Sequence, residues 1–591
     1  MRAPSDPRPS SSVKRVRSLY TALVVIVAIF IVRLFYVQVL HYNYYHAAAL
    51  SDQLKQYEIP PTRGIIEAYQ GSEVVPLVLN QTLYTLYADP PLIKNISNDA
   101  SIISSVIGGS ANQYKTLMST RGTEYVVLAN QITASESSKI LSHQFPGVGT
   151  QGRSYRVYPD GSLASQVLGF VNNSAQGEYG IEQALNKELT GTPGELKAIT
   201  DANGVPLVAI SKNIRTPAVP GDTVVTTLDM GMQYQMEQIL QKDYQSTKSQ
   251  LLSAIIMDPY TGQIKAMANY PTYNPANYSS TTNPSVFQNA AVSNDIEPGS
   301  TMKIMTTSAA LDLGVIQPNS SFYDPAQWVI DGFKITDIEQ DGGPRVQNIA
   351  SVLNLSLNTG ATWMLMQMGG GQIDQKGIDA WHEYMVNHFL LGQPTGIEQG
   401  YEAAGIVPAP DINDPSIDLT YANTAFGQGV TVTALQMAAA DSSILNGGTY
   451  YKPTLVSETI TPSGKTIPNN PKVVRTDTVA PKVGQEMIPL MEYVVQQHLL
   501  DGFPYMNFPS NYIVGGKTGT AQIAQPGGGY YANKYNGTYI GFVGGDKVQY
   551  VIVVYNIQPG VPGYAGTYGG QPVFADLAHM LINDAYVTPK T

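Results

Sequence analysis

Hydrophobic positions along this chain fall into two regimes. Residues 19–40 read LYTALVVIVAIFIVRLFYVQVL, without a charge from Leu19 to Val32 and apolar again after Arg33. A helix that crosses a bilayer needs about 20 such residues. The segment meets that length if Arg33 lies toward an interface and extends its head group into water. Beyond residue 40 no stretch is apolar for so long, and the apolar runs become short and bounded by turn residues. VVPLVLN, QTLYTLYA, EYVVLA and TVVTTLDM read as strands, as do LLSAIIMD and QIKAMANY on either side of a turn at Asp258-Pro259-Tyr260-Thr261-Gly262. NYIVGGKTGT, TYIGFVGG and VQYVIVVYNI predict three more near the C-terminus. Helical spacing is predicted over 41–57, ended by Pro60-Pro61, and over 97–108, 131–142, 229–245, 301–312, 433–445 and about 572–586.

Strands at both ends of the later region, with helices between, predict an α/β domain whose sheet is assembled from distant parts of the chain. A chain of 591 residues exceeds one ordinary core. Pro217-Ala218-Val219-Pro220-Gly221 marks a junction within 215–225. The resulting reading is multidomain. It has a tail at 1–18, a membrane anchor at 19–40, a mixed α+β non-catalytic module at 41–220 and a larger domain at 221–591.

Charge gives the anchor a direction. Arg2, Arg8, Lys14, Arg15 and Arg17 precede it against Asp6 alone, which places the N-terminus in the cytoplasm and the bulk of the chain outside. Ala47-Ala48-Ala49 offers the alternative of a cleaved leader, but it lies well beyond the short apolar core such leaders use. A formal net charge of −11 without a Lys/Arg run argues against nucleic acid as a partner. The absence of Cys excludes disulfides, thiolate catalysis and cysteine-ligated metals. The seven His form no ligand pattern, so no metal is expected.

Three short motifs carry the candidate chemistry. In Glu297-Pro298-Gly299-Ser300-Thr301-Met302-Lys303 a turn leads into a helix, so Ser300 stands at a helix N-terminus and Lys303 lies one turn on, on the same face. A Ser hydroxyl is a poor nucleophile and a protonated amine is no base. A dry site with other cations is expected to lower the amine pKa so that Lys303 takes the hydroxyl proton. The helix terminus offers N–H groups to a developing oxyanion. Ser356 and Asn358, in NLSLNTGATWML, are expected to project together from a loop before a helix, one relaying protons and the other holding substrate backbone; plain helix capping is the structural alternative. In Lys517-Thr518-Gly519-Thr520, on an expected edge strand, Lys517 supplies a fixed charge, Gly519 leaves space for substrate backbone, and Thr518 and Thr520 can bind a carboxylate. Singly each motif has an ordinary structural explanation.

In this order the motifs resemble S-x-x-K, S-x-N and K-T-G of the penicilloyl serine transferases. Among these the chain is most similar to the class B, monofunctional penicillin-binding proteins of the division and elongation type. MDPYTGQIKAMANYPTYNP at 257–275, FGQGVTVTALQMAAADSSILNGG at 426–448 and KTGTAQ at 517–522 share the likeness. So do Arg63-Gly64, Arg156-Val157-Tyr158-Pro159-Asp160-Gly161 and Gly177-Glu178-Tyr179-Gly180-Ile181-Glu182, which resemble motifs of the family's pedestal domain. The chain departs at Glu67-Ala68-Tyr69-Gln70-Gly71 and at Asn289-Ala290-Ala291, where the family usually carries an Asp-Arg-Asn-Gly type turn and Asn-Arg-Ala; an Arg–carboxylate tie is expected to be lost at each.

The resemblance implies a pedestal followed by a penicillin-binding transpeptidase domain, with helices packed on a mainly antiparallel sheet. It implies a D,D-transpeptidase in which Ser300 attacks the bond between the last two D-Ala residues of a peptidoglycan stem peptide. Lys303 would act as base, Ser356 and Lys517 would serve the leaving group, and N–H groups of Ser300 and Thr520 would form the oxyanion hole. Asn358 would hold the donor, and Thr518 and Thr520 its carboxylate. No cofactor is implied. β-Lactams would acylate Ser300, and a membrane glycan polymerase with division or elongation proteins would be the partners. A D,D-carboxypeptidase, a β-lactamase-like hydrolase or a non-catalytic sensor or scaffold uses the same motifs and remains the alternative. The segment 523–537 is read as a mobile lip of the acceptor side or a plain connection.

Overall fold

The structure, a computed structural model, describes residues 11–45, 54–199, 214–337 and 344–591. The chain divides into one compact unit of residues 1–62 and 191–220 and another of 63–190 and 221–591.

In the first unit the apolar segment forms helix α1, Ser11–Phe35, extended by a π turn at Tyr36–Leu40. It is long and apolar enough to cross a membrane, and from Lys14 to Leu40 none of its most apolar stretch is buried. Arg33 lies 5.5 Å from the centre of the Tyr36 ring near its C-terminal end. The helix predicted for 41–57 is not continuous. Residues 42–45 are helical, 46–53 lie outside the described residues, and Leu54–Ile59 is a strand paired antiparallel with Gly194–Ile199. Local spacing favoured helix there; a strand partner far along the chain decides otherwise.

In the second unit a seven-stranded mixed sheet is built around Glu73–Ala88. VVPLVLN and QTLYTLYA are thus one 16-residue strand, and not two. Its first part pairs with Ile66–Gln70 and its second with Val148–Val157 and Val126–Ile132. Helices Ile96–Ile107, Ala111–Met118 and Ala134–Ser142 cover that second part and share a small core including Leu86, Ile103, Met118 and Ile140. The helix at Ala111–Met118 was not legible in the sequence, because only Tyr114 and Met118 mark its buried face. Strand Thr223–Asp229 lies parallel to Ile66–Gln70 and antiparallel to Val456–Ile460, so the sheet draws on chain from both sides of residue 220.

Three motifs far apart in the first half converge on one carboxylate. Glu182, fully buried, accepts from Arg63 Nε at 2.7 Å and Arg156 Nε at 2.7 Å, and Arg63 Nη2 stands 2.6 Å from it. The same arginines reach Asn186, Thr190 and Asn80.

The second sheet carries the site. Helix α2, Met230–Thr247, precedes strands β1, Leu251–Met257, and β2, Ile264–Tyr270. There follow α3, Met302–Asp312; a short strand β3, Phe333–Thr336; α4, Asn358–Met368; α5, Ala434–Leu445; and α6, Pro481–Leu500. Strands β4, Ile513–Ala524, β5, Tyr530–Gly544, and β6, Val548–Ile557, lead to α7, Gln571–Asn583. The order β2-β1-β6-β5-β4 is antiparallel throughout, which leaves β4 at an edge. Side chains alternate between faces along a strand. Leu252, Ala254 and Ile256 of β1 therefore join α2 and α7 in one core, while Ile255 and Met257 join α3, α4 and α5 in the other. Burial on both faces explains why β1 and β6 read as continuous apolar runs.

Candidate active site

Ser300 sits in a short 3-10 turn, Gly299–Thr301, that runs into α3. The turn is held against β4 by close backbone approach. Gly299 has φ +60°, and a Cβ there would stand 2.8 Å from the Thr520 carbonyl oxygen. Only glycine fits, and the contact makes the backbones of Ser300 and Thr520 neighbours. Gly299 N–H also donates to the Gly427 carbonyl at 3.0 Å. At Gly519 the place a side chain would take is occupied by the Pro298 carbonyl, Thr301 and Thr538 of this chain.

Lys303 is fully buried on α3. Its Nζ donates to Ser300 Oγ at 2.8 Å, to the Ser356 carbonyl at 2.6 Å and to Asn358 Oδ1 at 2.8 Å, with Ser356 Oγ at 3.3 Å. Two of these oxygens, the Ser356 carbonyl and the Asn358 amide, can only accept. They engage two N–H groups and turn the remaining tetrahedral position toward Ser300 Oγ, where a neutral amine would present its lone pair. Ser356 adopts φ +60°, a left-handed conformation that lets its carbonyl and its hydroxyl both face the lysines. Lys517, also buried, donates to Ser356 Oγ at 2.9 Å and to the Thr518 carbonyl at 2.9 Å. Ser356 Oγ thus lies between two amines, a position from which a proton can pass either way.

Asn358 is the first residue of α4 rather than a loop residue, with Leu357 at the N-cap position. Its Nδ2 donates to the Thr336 carbonyl at 3.0 Å. Thr520 Oγ1 accepts from Gly566 N–H at 2.9 Å, which leaves the hydroxyl hydrogen to donate elsewhere. Thr518 Oγ1 stands 3.4 Å from Lys517 Nζ. The three motifs are therefore brought into contact where α3, α4 and the edge strand β4 meet.

Sequence reasoning missed five neighbours. Asp337 accepts from Thr359 N–H at 3.0 Å and Oγ1–H at 2.6 Å. Burial pushes its carboxyl up, against the opposing pull of the Thr359 bonds and Lys303. Glu297 accepts from Gly429 N–H and the Tyr530 hydroxyl, each at 2.8 Å; burial raises its carboxyl too. His498 on α6 is buried, and burial first and Lys517 second push its imidazole down to about 4, so it is neutral at physiological pH. Gly566 completes the set. Asp337, His498 and Gly566 arrive from elements remote from the motif residues they support, whereas Glu297 lies three residues before Ser300 and Tyr530 lies on the strand next to the third motif. The segment 523–537 is the turn of a hairpin and its flanks: β4 runs on to Ala524, β5 begins at Tyr530, and Tyr530 ties the hairpin to Glu297. No group of three or more metal-binding side chains occurs among the described residues.

Comparison with known proteins places this geometry. Residues 252–579 match the family model described as the penicillin binding protein transpeptidase domain, and residues 58–226 match the penicillin-binding protein dimerisation domain. The chain is 29% identical over 591 residues to the stage V sporulation protein D of Bacillus subtilis, covering 99% of this chain and 88% of that protein. It is 26% identical over 544 residues to the peptidoglycan D,D-transpeptidase FtsI of Escherichia coli, covering 91% and 86%. Among solved structures, penicillin-binding protein 3 of Mycobacterium tuberculosis in complex with aztreonam superposes with a TM-score of 0.66 at 26% identity, covering 90% of this chain and 97% of that one. Penicillin-binding protein 2X of Streptococcus thermophilus shares the fold with a TM-score of 0.73 at 23% identity, covering 90% and 80%. With a dimerisation domain, a transpeptidase domain and the three motifs in mutual contact, the chain belongs to the class B penicillin-binding proteins.

Proposed function

We propose that this chain cross-links peptidoglycan as a serine D,D-transpeptidase. The observation that carries the reading is the continuous chain of contacts from Ser300 Oγ through Lys303 Nζ and Ser356 Oγ to Lys517 Nζ. Ser300 Oγ attacks the carbonyl between the terminal D-Ala residues, and its proton passes to Lys303. N–H groups of Ser300 and Thr520 hold the oxyanion. The C–N bond breaks, and the departing D-Ala nitrogen takes a proton through Ser356, with Lys517 opposite. An amine of a neighbouring stem then attacks the ester carbonyl, loses a proton to the same relay and restores Ser300. Asn358 holds the donor backbone, and the Thr518 and Thr520 hydroxyls hold its carboxylate.

In this reading α1 is a retained single anchor with the basic N-terminus in the cytoplasm and the site outside. The chain divides into a tail at 1–18, an anchor at 19–40, a pedestal at 41–220 and a transpeptidase domain at 221–591. Its partners are a membrane glycan polymerase and proteins of a division or elongation complex. The likeness to FtsI and the apolar, unburied α1 support this reading.

Intact-mass spectrometry with and without a β-lactam, beside Ser300→Ala, tests it. A single covalent adduct on the wild type and none on the variant is expected. Adduct formation on both would remove Ser300 as the nucleophile, and none on either with several β-lactams and a thioester substrate would favour a scaffold.

A further inference from the structure

Helix α4 begins without a cap of its own, since Leu357 occupies the N-cap position and makes no side-chain hydrogen bond. N-terminal N–H groups of a helix need acceptors. Here the acceptor comes from another element: Asp337, directly after β3, takes both the N–H and the hydroxyl of Thr359. The preceding residue does the same for Asn358, whose Nδ2 donates to the Thr336 carbonyl. Two consecutive residues of the β3 end thus clamp Asn358 of the second motif and Thr359, which follows it.

The clamp sets which way the Asn358 amide faces. With Nδ2 turned to a carbonyl, Oδ1 is turned to Lys303 Nζ at 2.8 Å. One Nδ2 hydrogen goes to Thr336, and the other is left in a fixed direction for substrate. A primary amide without such a fixed acceptor can rotate and exchange its two ends, which would set a donor against the lysine.

We propose that Asp337 is a positioning residue for the reaction: by capping α4 at Thr359 it holds Asn358 against Thr336, and so sets the recognition of the amide on the acyl side of the substrate. This rests on the transpeptidase reading above, in which Asn358 contacts the donor. Asp337 touches no reacting atom and works through Thr359 and Asn358.

The test uses the full-length chain in detergent and two β-lactams that differ in the side-chain amide, benzylpenicillin and 6-aminopenicillanic acid. The second-order acylation rate is measured for each on wild type, Asp337→Ala and Asp337→Asn, with melting temperature alongside. Loss of one fixed hydrogen bond to the amide corresponds to about tenfold. Asp337→Ala is expected to lower the benzylpenicillin rate about tenfold and the 6-aminopenicillanic acid rate little, so that discrimination collapses. Asp337→Asn, whose amide can still accept from Thr359 N–H and donate to its Oγ1, is expected to return most of it. If Asp337→Ala fails to fold, Thr359→Val removes the hydroxyl arm of the clamp and carries the same readout. Equal falls for both ligands, no fall for either, or an Asn variant as impaired as the Ala variant would each overturn the inference. A wild type that forms no Ser300 adduct with either ligand would overturn the parent reading itself.

Discussion

Replacing Glu182 by Gln should destabilise the protein while leaving its acylation chemistry intact. The carboxylate has no exposed surface, and the side chains of Arg63 and Arg156 keep only 10% and 4% of theirs. In the wild type two guanidinium groups share one counter-charge through contacts of 2.6–2.7 Å. Gln preserves the shape but removes the charge and turns an N–H toward an arginine donor. Breaking a buried ion pair from one side costs about 3–5 kcal/mol. Here the two freed arginines also face each other, so the upper half of that range applies. A body of this size shifts by less per kcal/mol than a small domain, which gives a fall in Tm of roughly 5 °C. Scanning calorimetry at pH 7, with fluorescent β-lactam labelling at 20 °C as the activity control, reads both effects. A combined replacement of Arg63, Arg156 and Glu182 by Met should recover much of the loss, because apolar substitution of a whole buried cluster is often neutral. A Tm within 1 °C of wild type for Glu182→Gln, or labelling lost at 20 °C with the fold intact, would refute the reasoning.

Lys303→Met should lower acylation by about 10²–10⁴-fold without lowering Tm, as stopped-flow labelling would show, because it removes the proposed base and replaces it with a side chain of similar length. Glu237 accepts from Ala164 N–H at 2.7 Å and Gln233 Nε2 at 2.8 Å, and burial pushes it up to about 7. A carboxyl raised in the folded state contributes stability that is fully present below its unfolded pKa, near 4.5, and is lost as pH rises through about 7. The stability advantage of Glu237→Gln over wild type, measured by chemical denaturation, should therefore grow between pH 5 and pH 8, by at most about 3 kcal/mol since part of the side chain meets solvent; a pH-independent difference would contradict it. Gly566→Ala would place a Cβ 2.2 Å from the Gly519 carbonyl, so the turn must lift from β4 and release Thr520. Acylation by carboxylate-bearing β-lactams should fall at least tenfold, measured as the second-order labelling rate.

The anchor and most strands were legible in the sequence because their signals are local. A run from Leu19 to Val32 without charge needs no partner to be recognised, and Leu251–Met257 declares a strand buried on both faces by being apolar throughout. The chemistry of the site was legible for a related reason, since Ser300 and Lys303 share a helix face by spacing alone and the other two motifs are contiguous. What spacing does not contain is which groups meet across the fold. The strand at Leu54–Ile59 exists because Gly194–Ile199 lies beside it, and the single long strand at Glu73–Ala88 exists because two sets of neighbours pair along it. At Gly519 the missing side chain also lets Pro298 and Thr301 pack close, which the motif alone does not show. Asp337, His498 and Gly566 carry no motif, and Glu297 precedes Ser300 without its pairing to Tyr530 being visible in the spacing; burial and hydrogen bonding across the fold give them their places. The sequence by itself thus determined the candidate membrane span, the class of fold and the three motifs that carry the candidate chemistry, because covalent neighbours and helical period carry that information. Tertiary structure alone decided how those groups are held, because orientation depends on acceptors and packing that only the folded chain brings within hydrogen-bond distance.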